Sequence, residues 1–337
     1  MRLLRVLGLA ALSLPCPAAA AATVPLPELL HPSQIYVSDD RLVVVDGCSI
    51  LVYGIEDLNL IRKFGKEGEG PREFKEAVHS VYFIADRLVV NSTGKLTFFK
   101  RNGEFISEKK APGGARTGDY CPIGDGYAAV QFSSENRTFY LTVNLYNGAL
   151  NKVREIIRIE DDFQPGKSMR AYPEPRTFDV FDDRLYVSFD DNFIIRVFDA
   201  RGRALFTIGV GYERLKLEPK HREAADRYFR TDPYYKRYYD RIRKMLTFPS
   251  HLPAIRTFTF SEDRLYVETR RKRGNKTEFY VFTPRGKFLD VRHLPLVEGE
   301  DPPYGVSRLY RIRNGRLYQL VEDEAQEVWR LHSTEIE

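Results

Sequence analysis

Along most of this chain hydrophobic and polar residues alternate in short runs that stop at Asp, Asn or Gly, the period of β-strands joined by tight turns rather than of helices. One unit recurs. Asp40-Arg41-Leu42-Val43-Val44, Asp86-Arg87-Leu88-Val89-Val90, Asp183-Arg184-Leu185-Tyr186-Val187 and Asp263-Arg264-Leu265-Tyr266-Val267 are near copies of an acidic turn followed by an apolar strand. Asp125-Gly126-Tyr127-Ala128-Ala129-Val130 and Asn314-Gly315-Arg316-Leu317-Tyr318 are weaker copies, which brings the units to six.

A short apolar strand precedes each turn, as at Ser80 to Ile84, Thr177 to Phe181 and Thr257 to Phe260, so turn and flanks predict a hairpin. A second hairpin follows, with glycine in its turn: Phe99-Lys100-Arg101-Asn102-Gly103-Glu104-Phe105, Phe198-Asp199-Ala200-Arg201-Gly202-Arg203-Ala204 and Phe282-Thr283-Pro284-Arg285-Gly286-Lys287-Phe288. Two hairpins per unit predict four antiparallel strands, and a unit spacing of roughly 40 to 50 residues suits propeller blades rather than solenoid repeats. The expected fold is all-β: a six-bladed β-propeller of four-stranded antiparallel blades over residues 23–337, with blade three furthest from the common pattern. The sixth unit runs out after the strand around Val328 to Leu331. Val24 to Leu30 is expected to return as its fourth strand, closing the ring and hiding both sheet edges.

The segment 217–246 departs from the alternation. Pro219 after Glu218 and Pro233 after Asp232 each stand where a helix admits proline, at its first residue, which predicts a two-helix insert between blades four and five. Tyr235, Tyr238, Ile242 and Leu246 then share one helical face. Too small to hold a core alone, the insert should pack over one end of the ring.

At the start of the chain Arg2 and Arg5 lead into an apolar run from Val6 to Leu14, then Pro15 and the small residues Ala18 to Ala22. These are the three parts of a cleaved secretion signal, expected to cover residues 1–22. Its apolar run is well short of the roughly 20 residues that cross a bilayer, and no later segment reaches that length without a charge, so a membrane span is not expected. Leu14 and Pro15 precede Cys16 where a lipoprotein signal has small residues, which argues against a lipid anchor and for a periplasmic or extracellular protein. Loss of Arg2 and Arg5 lowers the formal charge from +5 to +3, too little for the broad basic footprint of a nucleic-acid binder. Cys48 and Cys121 remain, able to pair in an oxidising compartment or to stay as buried thiols.

Between the first two units, Phe64-Gly65-Lys66-Glu67-Gly68-Glu69-Gly70-Pro71-Arg72-Glu73-Phe74 resembles the Gly-x-x-Gly-x-Gly-Pro-x-x-Phe junction of NHL-repeat propellers. With it, the chain is similar to the exported six-bladed NHL-like or TolB-like propellers of bacteria, which also carry a helical insert late in the ring. The resemblance implies a fold and not one activity, since propellers serve as binding platforms, lyases, lactonases and scaffolds. His79-Ser80 follows the junction as a zinc-binding histidine does in the NHL-type lyase that cleaves peptidyl-hydroxyglycine, although the other histidine contexts of that lyase are not recognisable.

His31, His79 and His251 each sit just before the first strand of a unit, toward one ring face, and are the candidate zinc ligands. Lactonase-like propellers hold calcium with carboxylates and amides in the channel; Asp179, Asp190, Asp191 and Asn192 could do so here, although turn chemistry also accounts for them. The glycine-rich junction has neither the Lys-Ser/Thr pair nor the βαβ setting of a phosphate loop, and no Gly-x-Ser-x-Gly elbow accompanies the serines.

The insert is more distinctive. From Lys220 to Lys244 it holds nine Lys or Arg against four Asp or Glu, interleaved with Tyr228, Phe229, Tyr234, Tyr235, Tyr238 and Tyr239. Tyrosine beside arginine can stack on sugars or peptides while pairing with acidic groups, so Arg237, Tyr238, Arg241 and Tyr234, with Lys66 and Arg72 of the junction, are the candidate ligand-binding residues. In the competing reading the tyrosines only seat the insert and Arg237, Arg241 and Arg243 face water. The expectation is a noncatalytic exported platform, without cofactor, for an extracytoplasmic protein, an acidic peptide or a glycan. The alternative is a metal-dependent lyase or hydrolase with zinc or calcium in the ring mouth.

Overall fold

Runs such as Leu42-Val43-Val44-Val45 are too continuous for a strand with one wet face. The computed structural model, which describes residues 22–75, 78–84, 86–112, 117–164, 166–297, 303 and 308–336, shows why. Most of the predicted secretion signal, Cys16 included, lies outside the described residues.

Among the described residues are six sheets of four antiparallel strands, each in chain order from inner to outer edge. The first comprises Pro32–Val37, Arg41–Asp46, Ser49–Gly54 and Leu60–Phe64; the second Val78–Ile84, Arg87–Ser92, Lys95–Lys100 and Phe105–Lys110; the third Thr117–Ile123, Gly126–Glu135, Thr138–Tyr146 and Lys152–Glu160. The fourth comprises Thr177–Phe181, Arg184–Ser188, Ile194–Asp199 and Ala204–Gly209; the fifth Thr257–Ser261, Arg264–Arg273, Lys276–Phe282 and Phe288–Leu294; the sixth Tyr310–Arg313, Arg316–Asp323, Val328–Glu335 and, outermost, Ala22–Pro25. Each repeated acidic or Asn-Gly turn joins the first two strands of a sheet. The third unit, weakest in sequence, still forms a full sheet.

Each sheet is covered on both faces by its neighbours. Val43 and Val52 pack toward the second sheet, whereas Val44 and Leu51, one residue away along each strand, pack toward the sixth. Apolar clusters of this kind fill all six gaps between neighbours, including the one between the sixth and first sheets. The inner strands contact one another in the same cyclic order. Outer strands such as Phe105–Lys110 are exposed and polar. This all-β arrangement is consistent with a β-propeller.

The chain start does return to the sixth sheet, but as Ala22–Pro25, with Val24 opposite Leu331, rather than as Val24 to Leu30. The Leu26 amide donates the last bond, to the Trp329 carbonyl at 2.8 Å, and Pro27 has no amide with which to continue. Leu26 and Leu29 turn instead into the core between the sixth and first sheets.

The turns set the spacing between sheets. Asp182 and Asp183 both have φ of 51°, and Asn314 and Gly315 have 49° and 65°, the paired left-handed conformation that matches hairpin twist. Gly103 has φ of 80°, and a Cβ there would come within 2.7 Å of the Phe64 ring of the preceding sheet. Glycine is needed at that turn for both reasons.

Two helices, α1 (Pro219–Thr231) and α2 (Tyr239–Met245), fall between the fourth and fifth sheets in the chain. Pro219 opens α1 with Glu218 as its cap, as its position predicts. Pro233 does not open a helix. The Asp232 carboxylate accepts from the Tyr234 and Tyr235 amides at 2.9 and 3.0 Å and holds a turn, which runs through a 3₁₀ turn at Lys236–Tyr238 into α2. The tighter 3₁₀ winding removes Tyr238 from the expected apolar face: it is 48% exposed while Ile242 is buried. Phe229, Ala225 and Ile242 form a seventh core with Tyr172 and Leu252. A small sheet ties the insert down, Ser168–Arg170 pairing with Phe163–Gln164 on one side and in parallel with Leu246–Thr247 on the other.

Candidate functional site

The inner strands enclose a channel of about 840 Å³. Counting back from the repeated turn shows what the repeat places there. Tyr36, Tyr82, Cys121, Asp179, Thr259 and Arg311 each lie six residues before the equivalent strand positions Leu42, Leu88, Tyr127, Leu185, Leu265 and Leu317. Each pairs across its hairpin with the same position of the second strand: Val43, Val89, Ala128, Tyr186, Tyr266 and Tyr318. All six line the channel, one from every sheet. Register alone thus assembles a ring of two phenols, a thiol, a carboxyl, a hydroxyl and a guanidinium.

The two ends of the channel are stitched differently. At the leading ends of the inner strands, Arg308 donates to the His79 carbonyl at 3.0 Å and to Asp119 at 2.8 Å, linking the sixth, second and third sheets. At the trailing ends Arg313 pairs with Asp39 at 2.7 Å and Glu262 at 3.4 Å, and the Gly124 amide donates to Asp183 at 2.9 Å. The glycine-rich junction and the insert both precede inner strands, so both belong to the leading end.

Burial dominates the electrostatics of the ring. It pushes the Asp179 carboxyl up to about 6, against the opposing pull of the Val180 amide and of Arg311 and Arg308. It pushes the Cys121 thiol and the Tyr36 and Tyr82 phenols up as well. Arg311 is shifted down, first by burial and then by repulsion from Arg308.

Sequence reasoning singled out Asp179 only as one possible calcium ligand and passed over the other five ring residues. The signal that could have found them was present, since the fixed offset from the leucine of each repeat is readable without coordinates. Their variety hid it: no residue type repeats around the ring except tyrosine.

The histidines do not converge. His31 is exposed, its backbone amide bonded to Asp46; His79 lies within the second sheet's inner strand, its Nε2 3.0 Å from the Thr93 hydroxyl; His251 is 3.0 Å from the Ser250 hydroxyl, beside Lys216. Among the described residues no group of three His, Cys, Asp or Glu is placed to hold a metal. The acids considered for calcium have other partners. Asp191 takes Arg170 through both oxygens at 2.7 Å and Arg214 at 3.2 Å, while Asp190 caps the Asn192 amide at 2.9 Å and pairs with Arg196. Cys48 and Cys121 do not bridge each other.

On the insert the tyrosines divide. Tyr228, Tyr235 and Tyr239 pack against the insert core. Tyr234 and Tyr238 are 61% and 48% exposed, and the Arg237 guanidinium lies 5.3 and 5.1 Å from their ring centres. Arg241 is exposed on α2. Lys66 and Arg72 are not brought to this cluster. They lie between the first and second sheets, where Lys66 pairs with Glu73 at 2.9 Å and Arg72, at φ of 64°, sits 6.0 Å from the Phe105 ring.

No protein-family model matches the chain, and no curated protein matches it. Four-stranded antiparallel sheets packed face to face around a channel define its class, and solved structures share that form. A candidate exported protein of Bacteroides fragilis NCTC 9343 aligns over 94% of this chain and 95% of its own, at 9% identity and a TM-score of 0.55. A member of the DUF4221 family from Bacteroides vulgatus ATCC 8482 aligns over 95% and 97%, at 14% identity and a TM-score of 0.54. At such identities the likeness is one of fold. Among the described residues no helix is long and apolar enough to cross a membrane.

Proposed function

We propose that the chain is exported, loses residues 1–22, and folds over residues 23–337 into a six-bladed propeller that serves as a noncatalytic binding platform for an acidic peptide, protein segment or glycan. Six face-to-face cores with the sixth closing on the first support the blade count. The name of the Bacteroides fragilis neighbour agrees with export.

The observation that carries the binding role is the Tyr234–Arg237–Tyr238 stack, two exposed rings around one cation on a helical insert whose own core is fully packed. A rigid support with exposed aromatics costs little entropy on binding, and a guanidinium held between rings is poised to meet an acidic group. The triple variant Arg237→Ala, Tyr238→Ala, Arg241→Ala is expected to lose capture of anionic ligands on a glycan and peptide array while keeping the wild-type circular dichroism. Capture unchanged in that variant, or none by the wild type, sinks the reading. Mass spectrometry of the exported protein should give Thr23 as the first residue.

A further inference from the structure

We propose that the channel ring is a second binding site, separate from the insert, which takes a small carboxylate ligand on Arg311. Arg311 is the cation of the ring, contributed by the sixth sheet and enclosed by the other five. Among the described residues it has no ion pair. Asp179 interacts with it electrostatically without reaching ion-pair distance, and Asp119, the other channel acid nearby, is taken by Arg308. The hydrogen bond it does make is from Nη1 to the Tyr310 carbonyl at 3.0 Å. A guanidinium carries five donors in a planar fork, and this bond engages one of them.

A guanidinium in the channel whose nearest carboxylate stays beyond ion-pair distance is only partly compensated, and an anion entering the channel would complete the pairing. Three observations narrow the anion. The fork matches a planar carboxylate through two parallel bonds. Asp179 shares the space, so a doubly charged phosphate would meet repulsion that a monoanion meets only half as strongly. The rest of the wall suits an organic body: the Tyr36, Tyr82 and Thr259 hydroxyls lie around the ring, and the Phe181 and Phe260 rings, stacked at 4.6 Å, line it toward the trailing end.

The test is calorimetry and thermal melting of the mature chain with acetate, butyrate, benzoate and glutamate at matched ionic strength, beside inorganic phosphate and chloride. At least one carboxylate should bind saturably and raise Tm by about 3 °C. Arg311→Gln should weaken that binding at least tenfold. Should that variant not fold, Arg311→Lys, which keeps the charge and loses the fork, should still weaken it several-fold. Saturable binding by no carboxylate, equal binding of phosphate, or wild-type affinity in the folded Arg311 variant overturns the proposal. The insert triple variant should keep the carboxylate response, so failure of one site is distinguishable from failure of the other.

Discussion

The channel and the insert draw on the same residues, tyrosine and arginine, and use them in opposite ways. In the channel Tyr36, Tyr82 and Arg311 hold equivalent repeat positions around one space, and burial shifts the pKa of each toward the neutral form. In the insert, position follows no repeat. Tyr235 and Tyr239 are drawn into a core while Tyr234, Arg237 and Tyr238, one to five residues away, stand in solvent. The same two residue types therefore mean little until their exposure is known: the channel arginine shares its space with Asp179, beyond ion-pair distance among the described residues, and the insert arginine stands in water.

The largest effect is expected where sheets are joined by buried charge. Arg256 and Glu268 pair at 2.8 Å with 5% and 1% side-chain exposure, and the Tyr310 hydroxyl donates to the same carboxylate at 2.5 Å, tying the fifth sheet to the sixth. Glu268→Ala takes its buried carboxylate from Arg256 and should cost about 3–5 kcal/mol, read as a lower urea midpoint for the whole ring. Phe229→Ala in the insert core should cost about 3 kcal/mol, but locally. Limited proteolysis should then cut between α1 and α2 while the main thermal transition stays; a single lowered transition would mean that insert and ring unfold together.

Asp179→Asn should act in the other direction. Because the folded carboxyl titrates near 6 instead of near 3.8, the native state holds its proton more tightly than the unfolded chain. That favours folding below about pH 4, and the relative advantage is lost as pH rises through 6. At pH 7.5 the variant should be more stable than wild type by up to about 3 kcal/mol, a gain that fades as pH falls from 6 to 4. Denaturant curves at pH 7.5 and 4 check it, and an equal difference at both would reject the titration. The smallest effect belongs to the exposed stack: Arg237→Ala should change Tm by no more than about 2 °C while weakening ligand capture.

Much of the fold was legible because repetition is a local signal. The Asp-Arg-Leu turns and the glycine turns marked both hairpins of a unit, and the structure places each turn where the pattern put it. Local chemistry did mislead at Pro233, where a first-turn proline was outweighed by Asp232 holding the next two amides, and at Pro27, which stopped the returning strand early. The candidate site was far less legible. Lys66 and Arg72 joined the insert residues by composition and are remote from them around the ring, and His31, His79 and His251 shared a place in the repeat without sharing a point in space.

Strand period and turn position were written in the chain itself, since these depend on neighbours a few residues apart, and so was the residue at each ring position. It took the tertiary arrangement to bring Tyr36, Tyr82, Cys121, Asp179, Thr259 and Arg311 around one channel, to give Asp119 to Arg308 while Arg311 has no ion pair among the described residues, and to choose which insert tyrosines reach solvent. The reason is distance along the chain. Ring partners come from strands scattered from residue 32 to residue 313, and charge pairing and burial are properties of the closed ring that no single hairpin contains.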